Sequence, residues 1–301
     1  MSIPFEKKQP INWNRRFKSI LGNVVTYALV LILIAVILGP FIWMIISSIS
    51  PARELAEVPP HWIPEEPTLS RYKALFFGAE TGQNVPIAVN KFIEALRNSL
   101  IITSVTTLSV VVTATCASYA FVRLPVPGRR GLMFGFLAAQ MLPIVVTVIP
   151  LYMVMNTLDL IDTWKGMIIL YTGFMLPTAV WIMHSYFQTL PFDLEEAAMI
   201  DGCTRFQAFL NVVLPISGPG IVAISAFAFL YTWNEFFMAL VFTQSQAKTI
   251  PVIITEFTTQ SGMDYGLMAT GGVIGSLPPI ILAFLLQKYI VAGLTSGAVK
   301  G

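Results

Sequence analysis

Residues 190–215 read L-P-F-D-L-E-E-A-A-M-I-D-G-C-T-R-F-Q-A-F-L-N-V-V-L-P. Asp193, followed three positions on by Glu196, has the form of a capping box opening a helix, with Asp in the place more often taken by Ser or Thr. Gly202 is placed to end that helix, because glycine takes the left-handed backbone of a helix C-terminus without a steric penalty. Thr204 with Gln207 makes a second capping box, and Pro215 marks where the following helix can no longer continue unbroken. The stretch therefore predicts helix, glycine turn, helix. On the first helix Ala197 and Ala198 stand beside Glu196 and Asp201, so that another backbone can approach closely between charged rims. On the second, Phe206, Phe209, Leu210 and Val213 follow spacings of three and four, and one apolar face can pack on the protein's own helices. The pattern alone leaves two uses open: a plug for a partner's groove, or a surface hairpin covering the mouth of its own domain.

On both sides of this stretch the chain is strongly apolar. Of its 301 residues 55% are hydrophobic and 11% charged, against about 25% charged in an ordinary soluble domain. A water-facing surface cannot be made from that composition, so the chain is read as an integral membrane protein. The net charge of +2 leaves no basic excess to hold nucleic acid. Glycine and proline, 20 of each, punctuate long apolar runs instead of forming a biased tract, which excludes disordered and collagen-like classes.

A membrane-crossing helix needs about 20 mainly apolar residues. Runs near 23–47, 98–122, 132–155, 166–186, 215–242 and 268–286 meet that test, giving an all-α chain of six transmembrane helices. The first run exceeds the ~7 to 15 apolar residues of a signal peptide and is read as a retained helix. Basic residues stay on the cytoplasmic side. With the N-terminus inside, that side carries Lys7, Lys8, Arg15, Arg16, Lys18, Arg123, Arg129, Arg130, Arg205, Lys288 and Lys300. Most outer-side basic residues, including Arg53, Arg71, Lys73 and Lys91, fall in one long loop, where they count for little. The expected order is a cytoplasmic segment 1–22, a membrane domain 23–292 with outer loop 51–94 and cytoplasmic loop 187–215, and a cytoplasmic tail 293–301. The outer loop, with Pro59, Pro60, Trp62, Pro64 and Pro67, is either a platform for an external partner or a long solvated connection.

Prolines at 40, 143, 150, 177, 215, 278 and 279 remove backbone donors within or beside the runs. The freed carbonyls must find partners in neighbouring helices or a wet cavity. Cys116, Cys203, His61 and His184 lie far apart with no metal-ligand or disulfide spacing, and structural roles are expected for all of them.

Glu196-Ala197-Ala198, then Asp201-Gly202 and Leu214-Pro215, resemble the EAA loop of permease subunits of binding-protein-dependent ABC importers, with Cys203 where alanine is usual. Trp233-Asn234-Glu235-Phe236-Phe237, the stretch Pro59-Pro60-His61-Trp62-Ile63-Pro64 and the ending from Ala292 to Gly301 resemble the maltose-permease G-type subunits of sugar importers. The resemblance implies a type I importer fold in a bacterial or archaeal cytoplasmic membrane, with both termini cytoplasmic. It implies import of a mono- or oligosaccharide by alternating access, with Glu196, Ala197, Ala198, Asp201 and Gly202 docking a cytoplasmic ATPase. It further implies a second permease chain and an external solute-binding protein. No Gly-x-x-x-x-Gly-Lys-Ser/Thr loop occurs in the sequence, so the chain itself is not expected to be an enzyme or to carry a cofactor; ATP and magnesium belong to the partner ATPase.

Glu235 is an ionisable group within an apolar run and marks a functional candidate. It either bonds a solute hydroxyl in the translocation pathway or makes a structural or gating contact, the second being favoured. Trp233 offers a ring to a sugar or belongs to an interfacial aromatic belt, and Asn234 between them is a third pathway candidate. Three further functions compete: a permease for another organic solute, such as a phosphorylated polyol or a peptide; a scaffold or receptor without transport; and a membrane-embedded enzyme, for which the runs offer only isolated His184 and Glu235.

Overall fold

The computed structural model describes residues 13–78, 86–259 and 262–298. Lys7, Lys8 and Lys300, which bear on the expected orientation, lie outside them. In chain order the helices are α1 (Trp13–Ile49), α2 (Ala52–Leu55), α3 (Ser70–Phe77), α4 (Phe92–Arg123), α5 (Arg129–Gln140), α6 (Ile144–Thr157), α7 (Trp164–Thr189), α8 (Asp193–Ile200), α9 (Arg205–Ala208), α10 (Leu214–Ile216), α11 (Gly218–Asn234), α12 (Phe237–Phe242), α13 (Ile250–Thr255) and α14 (Tyr265–Ala298). A 3-10 turn, Ile87–Lys91, precedes α4, and a π-helical turn, Phe209–Val213, joins α9 to α10. A two-residue hairpin, β1 (Thr258–Thr259) with β2 (Gly262–Met263), pairs Thr258 with Met263.

Apolar runs become helices because only a helix or a closed barrel satisfies its own backbone in hydrocarbon. Among the described residues four helices are long and apolar enough to cross a membrane, in α1, α4, α7 and α14, and two bent pairs raise the number to six if each crosses once. The run 132–155, expected as one helix, is broken. α5 and α6 meet at 100°, because Pro143 cannot donate to the preceding turn and instead precedes the first residue of α6. The run 215–242 is broken as well. α11 ends at Asn234 and α12 begins at Phe237, with Glu235 in extended backbone between them. At its other end α11 is bent by 73° from the helix that runs through Arg205–Ile216.

α4, α7 and α11 form the centre of the bundle. Their shared core buries Val110, Ala114, Ala179, Met183, Phe187, Ile224 and Ala228, and its small side chains let the helices approach closely. α1 packs along α14 and leaves Leu29, Leu31 and Val36 exposed, as a helix facing hydrocarbon would. Residues 51–78 fold onto the start of α14. Arg71 donates to the Ser50 carbonyl at 2.5 Å and lies 3.7 Å from Asp264. A methyl group at Gly266 would stand 2.1 Å from the Arg71 guanidinium carbon, so a larger residue there would push the guanidinium aside. Burial pushes the Arg71 guanidinium below its ordinary value, and the nearby Asp264 offsets part of that shift. Trp62 packs edge-on against Trp43 of α1 at 5.0 Å.

Candidate functional site

At one end of the bundle, α8 and α9 form the hairpin expected from the sequence. Gly202 has φ +93°. The amides of Gly202 and Cys203 reach back to the carbonyls of Met199 and Ala198 at 3.1 and 3.0 Å, which completes a Schellman motif and satisfies the last carbonyls of α8. Thr204 and Gln207 form the reciprocal capping box that opens α9, at 2.8 and 3.3 Å.

Two expectations for this hairpin need correction. Asp193 does not cap α8, because the chain is already helical at Phe192, and Asp193 becomes the first residue inside the helix. With Glu195 and Glu196 it leaves the first turn acidic, which still suits the positive end of the helix dipole. Nor do Phe206, Phe209, Leu210 and Val213 share one buried face. Phe209 and Val213 are buried, whereas Phe206 and Leu210 are 68% and 41% exposed. The π turn between Phe209 and Val213 widens the helical period and takes Leu210 out of the packed stripe.

The hairpin is fastened to the membrane helices by a residue that the sequence reading did not single out. Glu195 is 3% exposed. Its carboxylate accepts from the Tyr119 hydroxyl, stands 3.3 Å from Arg123 Nε, and lies 4.0 Å from Arg205. Arg123, the last residue of α4, also donates to the Leu190 carbonyl at 3.0 Å, and its guanidinium lies 3.8 Å over the Phe192 ring. That contact holds Phe192 in place at the head of α8. One buried acid thus joins α8, α9 and the end of α4, and Arg129 at the start of α5 donates to the Phe121 carbonyl beside it at 2.7 Å. A buried pair of this kind contributes little net stability, but losing one partner leaves an uncompensated charge costing about 3–5 kcal/mol.

The opposite face of the hairpin is free. Glu196, Ala197, Asp201 and Gly202 are exposed and Ala198 is half-buried. Among them Ile200 projects at 86% exposure, with Phe206 nearby in sequence across the turn. A convex, rigidly held helix with an apolar crest and acidic flanks can seat in a groove that supplies apolar walls and basic residues.

Trp233, Asn234 and Glu235 lie at the break between α11 and α12. Glu235 accepts from the Tyr171 hydroxyl at 2.8 Å and from the amides of Met238 and Ala239 at 2.8 and 3.2 Å. It caps α12 and ties the break to α7. The Trp233 indole donates to the Gly275 carbonyl of α14 at 2.9 Å and stacks on Phe229. Trp233 and Asn234 line a cavity of about 370 Å³ with Ile250, Gly272, Ser276 and Pro279.

These features define a multi-pass helical membrane protein that presents a short, glycine-terminated helix at one end. The chain belongs to the family of binding-protein-dependent transport system inner membrane components, whose model matches residues 109–296. It is therefore a transport subunit. It is 36% identical to the trehalose transport system permease SugB of Mycobacterium tuberculosis over 87% of this chain and 92% of that protein. It is 35% identical to the trehalose/maltose permease MalG of Thermococcus litoralis over 90% and 94%. Among solved structures, a subunit of a bacterial ABC transporter that imports alginate matches with a TM-score of 0.74 at 20% identity, covering 95% of this chain and 99% of that one, which shows the shared fold.

Proposed function

We propose that this chain is the permease subunit of an ATP-driven sugar importer, working beside a second permease chain. Its α8 helix docks in a cleft of a separate cytoplasmic ATPase, which binds ATP and magnesium, and an external solute-binding protein delivers the sugar. Both termini and the α8–α9 hairpin then lie on the cytoplasmic side of a bacterial or archaeal membrane. Closure of the ATPase subunits pulls on α8, and the Glu195–Arg123 contact passes that displacement to α4, so the cavity between the helices opens alternately to each side. Nucleotide drives the cycle only by favouring one of the two conformations over the other.

The observation that carries this reading is the exposed crest of α8, held by a buried charge to the helix that packs most centrally in the bundle. Its test is reconstitution of the full complex in proteoliposomes, with trehalose and maltose as first candidate solutes. ATP-dependent uptake of a sugar, with cross-linking of an Ile200→Cys variant to the ATPase, is expected. Absence of sugar uptake, or an α8 that cross-links to no ATPase in an assembled complex, refutes it.

A further inference from the structure

The bend between α5 and α6 raises a problem of hydrogen bonding. Met141 and Leu142 turn back to the carbonyls of Ala138 and Ala139 at 3.1 and 3.4 Å, and no side chain caps the first turn of α6. The first amides of a helix have no partner inside it. This opening lies on an exposed face of the chain at mid-membrane depth, since Gln140 at the end of α5, itself exposed, bonds Thr178, which sits near the midpoint of the 26-residue α7. At such a depth irregular backbone survives only where protein buries it or where it lines a wet cavity.

A cavity of about 460 Å³ adjoins the bend, lined by Gln140, Pro143, Phe174, Thr178, Phe227 and Tyr231 among others. It falls in the range of small-molecule sites, about 300–1,000 Å³. Its polar groups are an amide and two hydroxyls. The Gln140 amide nitrogen donates to the Thr178 oxygen at 2.6 Å. That bond uses one of the amide's two hydrogens and leaves its carbonyl oxygen and the Thr178 proton for a ligand. Among the described residues no Asp, Glu, Lys, Arg or His lines the cavity. Two phenylalanines and a tyrosine supply flat apolar faces. Neutral hydrogen-bonding groups among aromatic rings suit a ligand with many hydroxyls, apolar C–H faces and no charge. A phosphorylated or acidic solute would find no counter-charge here, and charge at this depth is costly.

Building on the sugar-import reading, we propose that this cavity is a membrane-depth subsite for an uncharged sugar, with Gln140, Thr178 and Tyr231 bonding its hydroxyls. This chain then contacts the cargo at the α5–α6 bend.

The test uses the full reconstituted complex with the free thiols Cys116 and Cys203 replaced by serine, and Ala139→Cys, which lines the cavity without bonding the sugar, as the reporter. The probe is 2-sulfonatoethyl methanethiosulfonate, a charged, water-soluble thiol reagent, with Leu33→Cys on α1 as a lipid-facing control. The reporter is expected to react at least about tenfold faster than the control, and the imported sugar is expected to slow it. In uptake assays, Gln140→Ala and Tyr231→Phe should each raise KM about tenfold, one hydrogen bond's worth, by more than any change in kcat. A reporter as inert as the control shows the cavity covered by lipid or by the second permease and overturns the subsite. So does a reactive reporter that sugar does not protect, or unaltered KM in both variants. Failure of the unsubstituted complex to take up any sugar overturns the import reading itself and the subsite with it; normal uptake with any of the other negative results overturns the subsite alone.

Discussion

Glu195 and Asp162 each fasten a loop to the helices, at opposite ends of the molecule, and they do so by different means. Asp162 sits in the turn between α6 and α7 with φ +56°. Its carboxylate accepts from the consecutive backbone amides of Gln244, Ser245, Gln246 and Ala247 at 2.9–3.0 Å, and from the Ser245 hydroxyl at 3.1 Å. Burial pushes its pKa up, and the four amide donors more than reverse this, leaving it below the ordinary value. Glu195 is held by side chains alone: one hydroxyl and two guanidinium groups. A ring of amides dictates the backbone conformation of the loop that supplies it. A side-chain pair dictates only where two elements meet, and long arginine stems can turn while the contact persists. The first arrangement suits a fixed corner, and the second suits a joint that carries motion.

Removing Glu195 gives the largest expected effect. Glu195→Ala strands Arg123, whose side chain is 1% exposed, at about 3–5 kcal/mol. Thermal unfolding in detergent should show the loss. Adding Arg123→Met should recover most of the stability but not uptake, because no charge is left stranded while the joint to α4 is gone. Recovery of uptake as well would place motion transfer elsewhere.

Asp162→Asn should cost about 2 kcal/mol, since one charged acceptor is exchanged for a weaker neutral one. Its pH dependence carries a definite sign. The folded-state pKa lies below the unfolded one, so the carboxylate's contribution is complete above about pH 4 and disappears as the pH falls through the folded value. The gap between the two proteins' unfolding curves should narrow from pH 7 to pH 3, and a constant gap would remove the charge from the explanation.

Gly202→Val forces a β-branched residue to φ +93°, at about 1–2 kcal/mol. It should leave the chain folded while lowering sugar uptake per ATP hydrolysed, and uptake equal to the unsubstituted protein would contradict a need for that turn. Glu196→Gln is expected to change stability least, by less than about 0.5 kcal/mol, because the residue is exposed. Its effect should be confined to weaker co-purification with the ATPase. A large stability loss would erase the contrast between the buried acid and its exposed neighbour.

Much of the fold could be read directly. The apolar runs, the turn at Gly202 and the Thr204–Gln207 box all emerge where the residues place them, because each depends on groups within one or two turns of each other. The misreadings share a cause. Asp193 looked like a cap by its spacing, yet Phe192, held under the Arg123 guanidinium, is already helical. The runs 132–155 and 215–242 each count as one span by apolar content; Pro143 marks where the first breaks, whereas no residue type marks the break at Glu235.

The chain alone determined how many stretches must leave water and where α8 must end, since hydration of a run and the steric freedom of one glycine are properties of consecutive residues. Only the tertiary structure decided that Glu195 goes inside while Glu196 faces out, and that Asp162 gathers amides from beyond position 240. A desolvated charge is tolerable only beside its partners, and those partners are brought up by helices distant in sequence.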